Sequence, residues 1–341
     1  FAGKASFAQD GSGLTRLDIG KLKFAKTEAT GTAAVRPDGT YLFDLAGPVL
    51  DLKAVREHWS GKNDEDGTAL EVKGRFDQVI VNEDITLNGV RADAVTSKHG
   101  LESIAVSALA GNSEVQVQII RAGDDKKIRI RASDASALLK DFELFQSIEG
   151  GVLEFAGTIV GEGKDELIRG TASMWDFSVI DAPLLTRLLL AATLTGLVEL
   201  VEGSGIGFSE ATAELEIGEE SITVRDALAY GPSLGISAEG TIGRTTDTVS
   251  IEGMVVPAYG LSRLIDRIPI LGKILTGGKR EGLLAGQYFL TDSLQNPTIT
   301  VNPLTAFTPG FLRNLVKATS DGIGGFVGSD LTFKQREDLG R

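Results

Sequence analysis

SEVQVQIIRAGDDKKIRIRA, residues 113–132, is the stretch that decides the fold. Val115, Val117 and Ile119 alternate with polar residues, a Gly-Asp-Asp turn follows, and Ile128 and Ile130 resume the alternation. Period-two alternation on both sides of a short turn is a hairpin signal. Similar text extends in both directions. LTRLDIGKLKF (14–24) offers Leu17, Ile19, Leu22 and Phe24 as strand anchors, and Pro37, Asp38 and Gly39 mark a turn before TYLFDLAG. ALEVKGRFDQVIVN puts Leu70, Val72, Phe76, Val79 and Val81 on repeated faces. Downstream, ATAELEIGEESITVRDALAYG is a second hairpin about Gly218, Glu219 and Glu220, and four further strand-like runs reach PTITVNPL. Regular short strands with turns between them predict an antiparallel meander, not βαβ units.

Helical text interrupts this pattern. Asp51 opens DLKAVREHW, and SDASALLKDFELFQ (133–146) is a second run, followed by Glu149, Gly150 and Gly151. The longest is DAPLLTRLLLAATLTGLVELVEGSGIG (181–207), with Asp181 as N-cap and Pro183 in the first turn. Leu184, Leu185, Leu188, Leu189, Leu190, Leu194, Leu197 and Val198 cover most of its circumference, so protein or lipid must cover it. Three readings stand: a core helix, a helix on a lipid surface, and a membrane span. A helix from 181 to 201 would be roughly 30 Å long, but Arg187 and Glu199 leave only a short uncharged run between them. PAYGLSRLIDRIPILGKILTGG (257–278) predicts an amphipathic helix kinked at Pro269. Leu261, Leu264, Ile265 and Ile268 share its first apolar face, and Ile270, Leu271, Ile274 and Leu275 resume it. Arg263, Arg267 and Lys273 make its polar side basic. TPGFLRNLVKA (308–318) is a last short helix, and the charged, Gly-rich text beyond it is expected to be mobile. Strands, a short apolar helix, a glycine pair and more strands recur loosely, which reads as an irregular internal repeat.

Composition narrows the function classes. The chain has 341 residues, 42% hydrophobic and 24% charged, which is globular. A net charge of −13 without a basic stripe argues against nucleic-acid binding. Cys is absent, which excludes disulfides and thiolate metal sites. Phe1 opens in strand-like text, which suggests part of a longer protein.

No catalytic, cofactor or metal constellation emerges. Gly231 to Gly235 matches G-x-S-x-G, but a nucleophile elbow needs a helix after it, and strand text follows Ser233. Asp64, Glu65, Asp66 and Gly67 suggest a calcium loop, but Lys62 and Lys73 stand at its first and last ligand positions. Gly272 to Lys279 lacks the Ser or Thr of a phosphate loop, and His58 and His99 have no ligand-spaced partners.

The stretch 179–316 resembles the C-terminal region of the large AsmA-like proteins of Gram-negative bacteria, close to the YhdP group and more distantly TamB. The text that carries this is FSVIDAPLLTRLL, GSGIGFSEATAEL, DALAYGPSLGISAEGTI, MVVPAYGLSRLIDRIPILGKILTGG and NPTITVNPLTAFTPGFLRNL. Residues 1–150 fit the repetitive β text of the same proteins without a sharp motif. The resemblance implies a mainly β protein with short α-helices: an elongated, curved antiparallel sheet forming an open apolar groove, capped by apolar and amphipathic helices. It implies a groove segment at 1–150, a C-terminal domain at 151–318 with helices 182–201 and 257–276, and a tail at 319–341. It also implies a periplasmic location, with an inner-membrane anchor upstream, and the conduction of phospholipids between inner and outer membrane in support of outer-membrane integrity. The partners would be phospholipid acyl chains, both membranes and envelope proteins. The family carries no established catalytic residues. The lipid- or membrane-contacting candidates are Leu184, Leu185, Leu188, Leu189, Leu194 and Leu197, with Leu261, Leu264, Ile265, Ile268, Ile270, Leu271, Arg263, Arg267 and Lys273. The competing expectation is a periplasmic scaffold for outer-membrane protein assembly, its apolar helices serving as protein interfaces.

Overall fold

The computed structural model describes residues 2–7, 13–59, 69–82, 85–111, 113–141, 147–161, 166–180, 205–232, 234–257, 286–294 and 297–302. Strands β1 (Ala2–Phe7), β2 (Leu14–Phe24), β3 (Thr27–Val35) and β4 (Tyr41–Asp51) lead to helix α1 (Leu52–Trp59). Strands β5 (Leu70–Ile80), β6 (Thr86–Ser97), β7 (Gly100–Ala110), β8 (Ser113–Ala122) and β9 (Asp125–Ala132) lead to α2 (Ala135–Asp141). Then come β10 (Ile148–Val160), β11 (Leu167–Val179), β12 (Ile206–Ile217), β13 (Ser221–Tyr230) and β14 (Leu234–Gly243). The last are β15 (Val249–Pro257), β16 (Gly286–Asp292) and β17 (Pro297–Asn302).

All seventeen strands form one long, curved, unclosed sheet in which each strand pairs with the next. The hairpin at 113–132 forms as its alternation predicts, with Val117 opposite Ile130 and Ile119 opposite Ile128. The turn at Pro37 is closed by the Gly39 amide donating to the Arg36 carbonyl at 2.9 Å. A register shift between Ile19 and Leu22, three residues apart against two on β3, lets both residues meet β3 on one face.

One expectation is corrected. The meander is not antiparallel throughout, because β4 and β5 run parallel, with Tyr41 beside Leu70 and Asp51 beside Ile80. The chain must therefore cross from one rim of the sheet to the other between them, through α1, and this is a βαβ unit. The parallel step resets the strand parity. After it, β9, β11, β15 and β17 all end at the rim where β4 ends. Consequently α1, α2 and the segments 181–204, 258–285 and 303–341 all leave the sheet at that one rim, hereafter the helix rim. The opposite rim carries shorter connections, such as 98–99, 123–124 and 218–220. The boundary expected at 150/151 lies inside β10, which pairs with both β9 and β11.

Both helices begin where the sequence signals them. Asp51 Oδ1 accepts the Ala54 amide at 3.0 Å, and the Asp51 amide is itself held by Thr27 Oγ1 at 2.9 Å. Asp134 Oδ1 accepts the Ser136 amide at 2.9 Å and its hydroxyl at 2.6 Å. These are N-caps that satisfy the otherwise orphaned first-turn amides. α2 lays Leu138 against Ala110, Val115 and Ala132, and Ala135 and Leu139 against Ile148 and Phe177. Gly150 and Gly151, the glycine pair of the sequence reading, lie inside β10 at φ 68° and 86°, a backbone conformation that glycine adopts without strain.

Candidate functional site: an apolar face along the whole sheet

Cross-strand partners share a face, so the register lets single rows be followed across the sheet. One row crosses every strand. Ala5 pairs with Leu17, Leu17 with Ala33, Ala33 with Phe43, Phe43 with Val72, and Val72 with Ala94. The row continues through Ile104, Ile119 and Ile128 to Gly157 and Gly170. It then passes Leu215, Val224, Gly240, Ile251 and Leu290, and ends at Ile299. No polar side chain interrupts it. At about 4.8 Å per strand it would extend roughly 75 Å on a flat sheet.

Parallel rows flank it on the same face. Toward the helix rim, Val106, Val117, Ile130, Phe155, Ala172 and Ala213 are paired in succession. Beyond these, Val115, Ala132, Leu153, Met174, Ala211 and Ala229 form another unbroken run, continued by Ile236 and Val255. On the other side, Ile159, Ile168, Ile217, Ile222, Ile242 and Val249 make a row of branched side chains. The opposite face has a different chemistry. Lys4, Asp18, Thr32, Asp44, Lys73 and Asp93 follow one another there in register, and Gln118, Arg129, Thr171, Glu214 and Arg225 lie further along the same row. Its ion pairs are solvent-exposed, as with Arg75 and Asp44 at 2.8 Å and Arg169 and Glu216 at 2.9 Å.

Burial across the apolar face is graded. Near the helix rim it is closed: Leu234 and Val255 are 1% exposed, and Phe177 stacks on Phe208 at 5.2 Å between ring centroids. Three buried clusters occupy this side, joined by Leu87 between two of them and by Leu153 between the second and third. The full-length row is only half-buried, from Leu17 to Ile299. Alternation on an antiparallel sheet ordinarily places apolar residues against a second layer. Among the described residues, the second layer is α1 and α2 at the helix rim.

Two tyrosines are held within this face or beside it. The Tyr288 hydroxyl donates to the Ser237 carbonyl at 2.6 Å, and burial pushes its ionisation well above the ordinary range. Burial, followed by its hydrogen bond to the Glu210 carboxylate, pushes Tyr230 up to about 12.

The fifteen sequence-predicted contact residues, Leu184 to Leu197 and Leu261 to Lys273, lie outside the described residues, as does Ser233. What is described is where their segments attach. Val179 and Ile206, which flank the first segment, are paired, and so are Val255 and Gly286 beside the second. Both segments therefore leave and return at the helix rim, next to the closed side of the apolar face. Gly231 to Gly235 joins β13 to β14, with the Gly231 amide donating to the Leu234 carbonyl at 2.9 Å, so a strand follows the pattern. Among the described residues, no three His, Asp or Glu side chains converge as metal ligands would, and no helix is long and apolar enough to cross a membrane. Sequence reading expected an open apolar groove on the sheet but placed its contact candidates on the helical segments and named none of the strand residues that make up these rows among them. Their signal was present strand by strand in the alternation, but joining the strands into rows requires the register.

No protein-family model, curated protein or solved structure matches the chain.

Proposed function

We propose that the protein is a lipid conduit, part of a periplasm-spanning protein that carries phospholipids between inner and outer membranes, with acyl chains lying along the apolar face. The observation that carries this reading is the unbroken row from Ala5 to Ile299, half-buried from Leu17 onward. Exposing an acyl chain to water costs about 0.8 kcal/mol per CH₂, so a sixteen-carbon chain would cost roughly 13 kcal/mol. A carrier must therefore offer continuous apolar surface, because a single polar gap re-exposes the chain. The burial pattern fits this use: the helix rim forms a packed wall and the full-length row stays half-buried from Leu17 to Ile299. The apolar segments at that rim would cap the resulting groove. The reading needs no covalent chemistry, and the AsmA-like resemblance leads to the same activity.

The test is direct. The protein is purified without detergent, extracted with organic solvent and examined by mass spectrometry, with a soluble β protein handled in parallel. Phospholipid recovered in stoichiometric amount supports the conduit. Lipid-free protein that binds no fluorescent phospholipid overturns it and leaves the scaffold reading.

A further inference from the structure

The row nearest the rim opposite the helix rim changes character on β9. From β10 to β15 it is Ile159, Ile168, Ile217, Ile222, Ile242 and Val249. On β9 the next member is Lys126, paired with Ile159, and on β8 it is Arg121, paired with Lys126. Alternation along β9 puts Lys126 on the same face as Ile128, Ile130 and Ala132, while Lys127, Arg129 and Arg131 are exposed on the opposite face. Two cations thus stand side by side at the margin of an apolar surface, in a chain of net charge −13.

Their situations differ. Arg121 is committed: it pairs with Glu102 at 3.4 Å, donates to the Leu101 carbonyl at 3.2 Å and also donates to the His99 carbonyl. Glu102 is in turn held by the Ser97 hydroxyl. Lys126 is half-buried and has no hydrogen-bond or ion-pair partner among the described residues. Like charges directly opposite on a sheet are destabilising. Among the described residues, Glu102 is engaged by Arg121 and no ion pair reaches Lys126.

We propose that Lys126, beside Arg121, receives the phosphate of an amphiphile whose chain lies on the apolar rows toward Ile128 and Ile130. This rests on the conduit reading and adds a headgroup preference to it. Geometry supplies the pairing of functions. The ammonium stands at the margin, where a headgroup remains hydrated, and the apolar rows begin one residue pair further in, at Ile119 and Ile128. A compact ammonium suits a phosphate as a point charge with rotatable donors.

The experiment titrates the full chain calorimetrically with 1-lauroyl-lysophosphatidic acid, 1-lauroylglycerol and inorganic phosphate. The first two differ only in the phosphate. We expect the lysophosphatidic acid to bind about tenfold more tightly than the glycerol ester at low salt, as one charge-assisted contact allows. The margin should shrink as salt is raised. Lys126→Gln should remove the margin, Lys126→Arg should retain most of it, and Lys127→Gln, on the other face, should leave it intact. Equal binding of the two lauroyl compounds by the parent protein overturns the headgroup proposal while sparing the conduit. Binding of neither overturns both. Inorganic phosphate binding as tightly as the lysophosphatidic acid overturns the proposal in favour of a free-anion site.

Discussion

Phe155 occupies the space that a side chain at Gly170 would need. A Cβ on Gly170 would stand 2.7 Å from Phe155 Cζ, and one on the facing Gly157 would stand 3.0 Å from the same atom. The ring lies over a glycine pair shared by β10 and β11, and so fills the apolar row where it has no side chains. The same device recurs at Gly253, where a Cβ would meet the Tyr288 hydroxyl at 2.7 Å.

The first prediction follows from that packing. Gly170→Ala should lower stability by about 1–3 kcal/mol, the usual cost of overpacking. Phe155→Leu should restore only part of it, because the added Cβ would also stand 2.4 Å from the Ala156 carbonyl oxygen. Urea denaturation of the single and double variants checks this. Full rescue by the Phe155 change would show that the ring alone is responsible.

A second prediction separates the two faces. Leu215→Glu places a carboxylate in the full-length row between Gly170 and Val224. It should weaken binding of a fluorescent phospholipid at least several-fold. Thr158→Glu lies on the polar face between Lys127 and Arg169 and should leave binding and stability unchanged. Equal loss of lipid binding in both variants would count against the apolar face as the binding surface.

The helix on that face provides a third. Leu139→Ala should cost about 2–5 kcal/mol, since the side chain is 8% exposed within the largest buried cluster. Asp134→Ala removes the cap on the Ser136 amide and should cost about 1 kcal/mol. Chemical denaturation followed by circular dichroism measures both. A loss larger for the cap than for Leu139 would reverse the assignment of what holds α2 down.

A fourth concerns alkaline pH. Tyr230 is raised to about 12 and Tyr288 is raised further, so the folded state keeps protons that unfolded tyrosines release near pH 10. Raised acid groups contribute stability that is complete below the unfolded value and is lost as pH climbs toward the folded one. Urea midpoints should therefore fall between pH 10 and pH 12. Tyr288→Phe should lower stability at pH 8 by about 1 kcal/mol, through loss of the bond to Ser237, and should lessen the alkaline fall. An alkaline fall of the same size in Tyr288→Phe and parent would exclude Tyr288 as a contributor.

The sequence by itself determined what is local. Alternation around Val117 and Ile130 specified strands with one apolar side, Pro37 to Gly39 specified a turn, and Asp51 and Asp134 specified where helices start. Each of these depends on a few consecutive residues and on backbone geometry that those residues prefer. Tertiary structure alone decided which apolar sides meet. A slip of one residue between β10 and β11 would turn Phe155 away from Ala172, and nothing in either strand's periodicity forbids it; the partner strand does. The same holds for the parallel step between β4 and β5, which sets at one rim the strand ends that lead into α1, α2 and the apolar segments. Strand parity is a property of the whole path, and a period-two pattern reads the same in either direction. Lys126 illustrates the division: alternation along its own strand puts it on the side of Ile128 and Ile130, but only the register sets it beside Ile159 and Arg121 at the margin of the joined face.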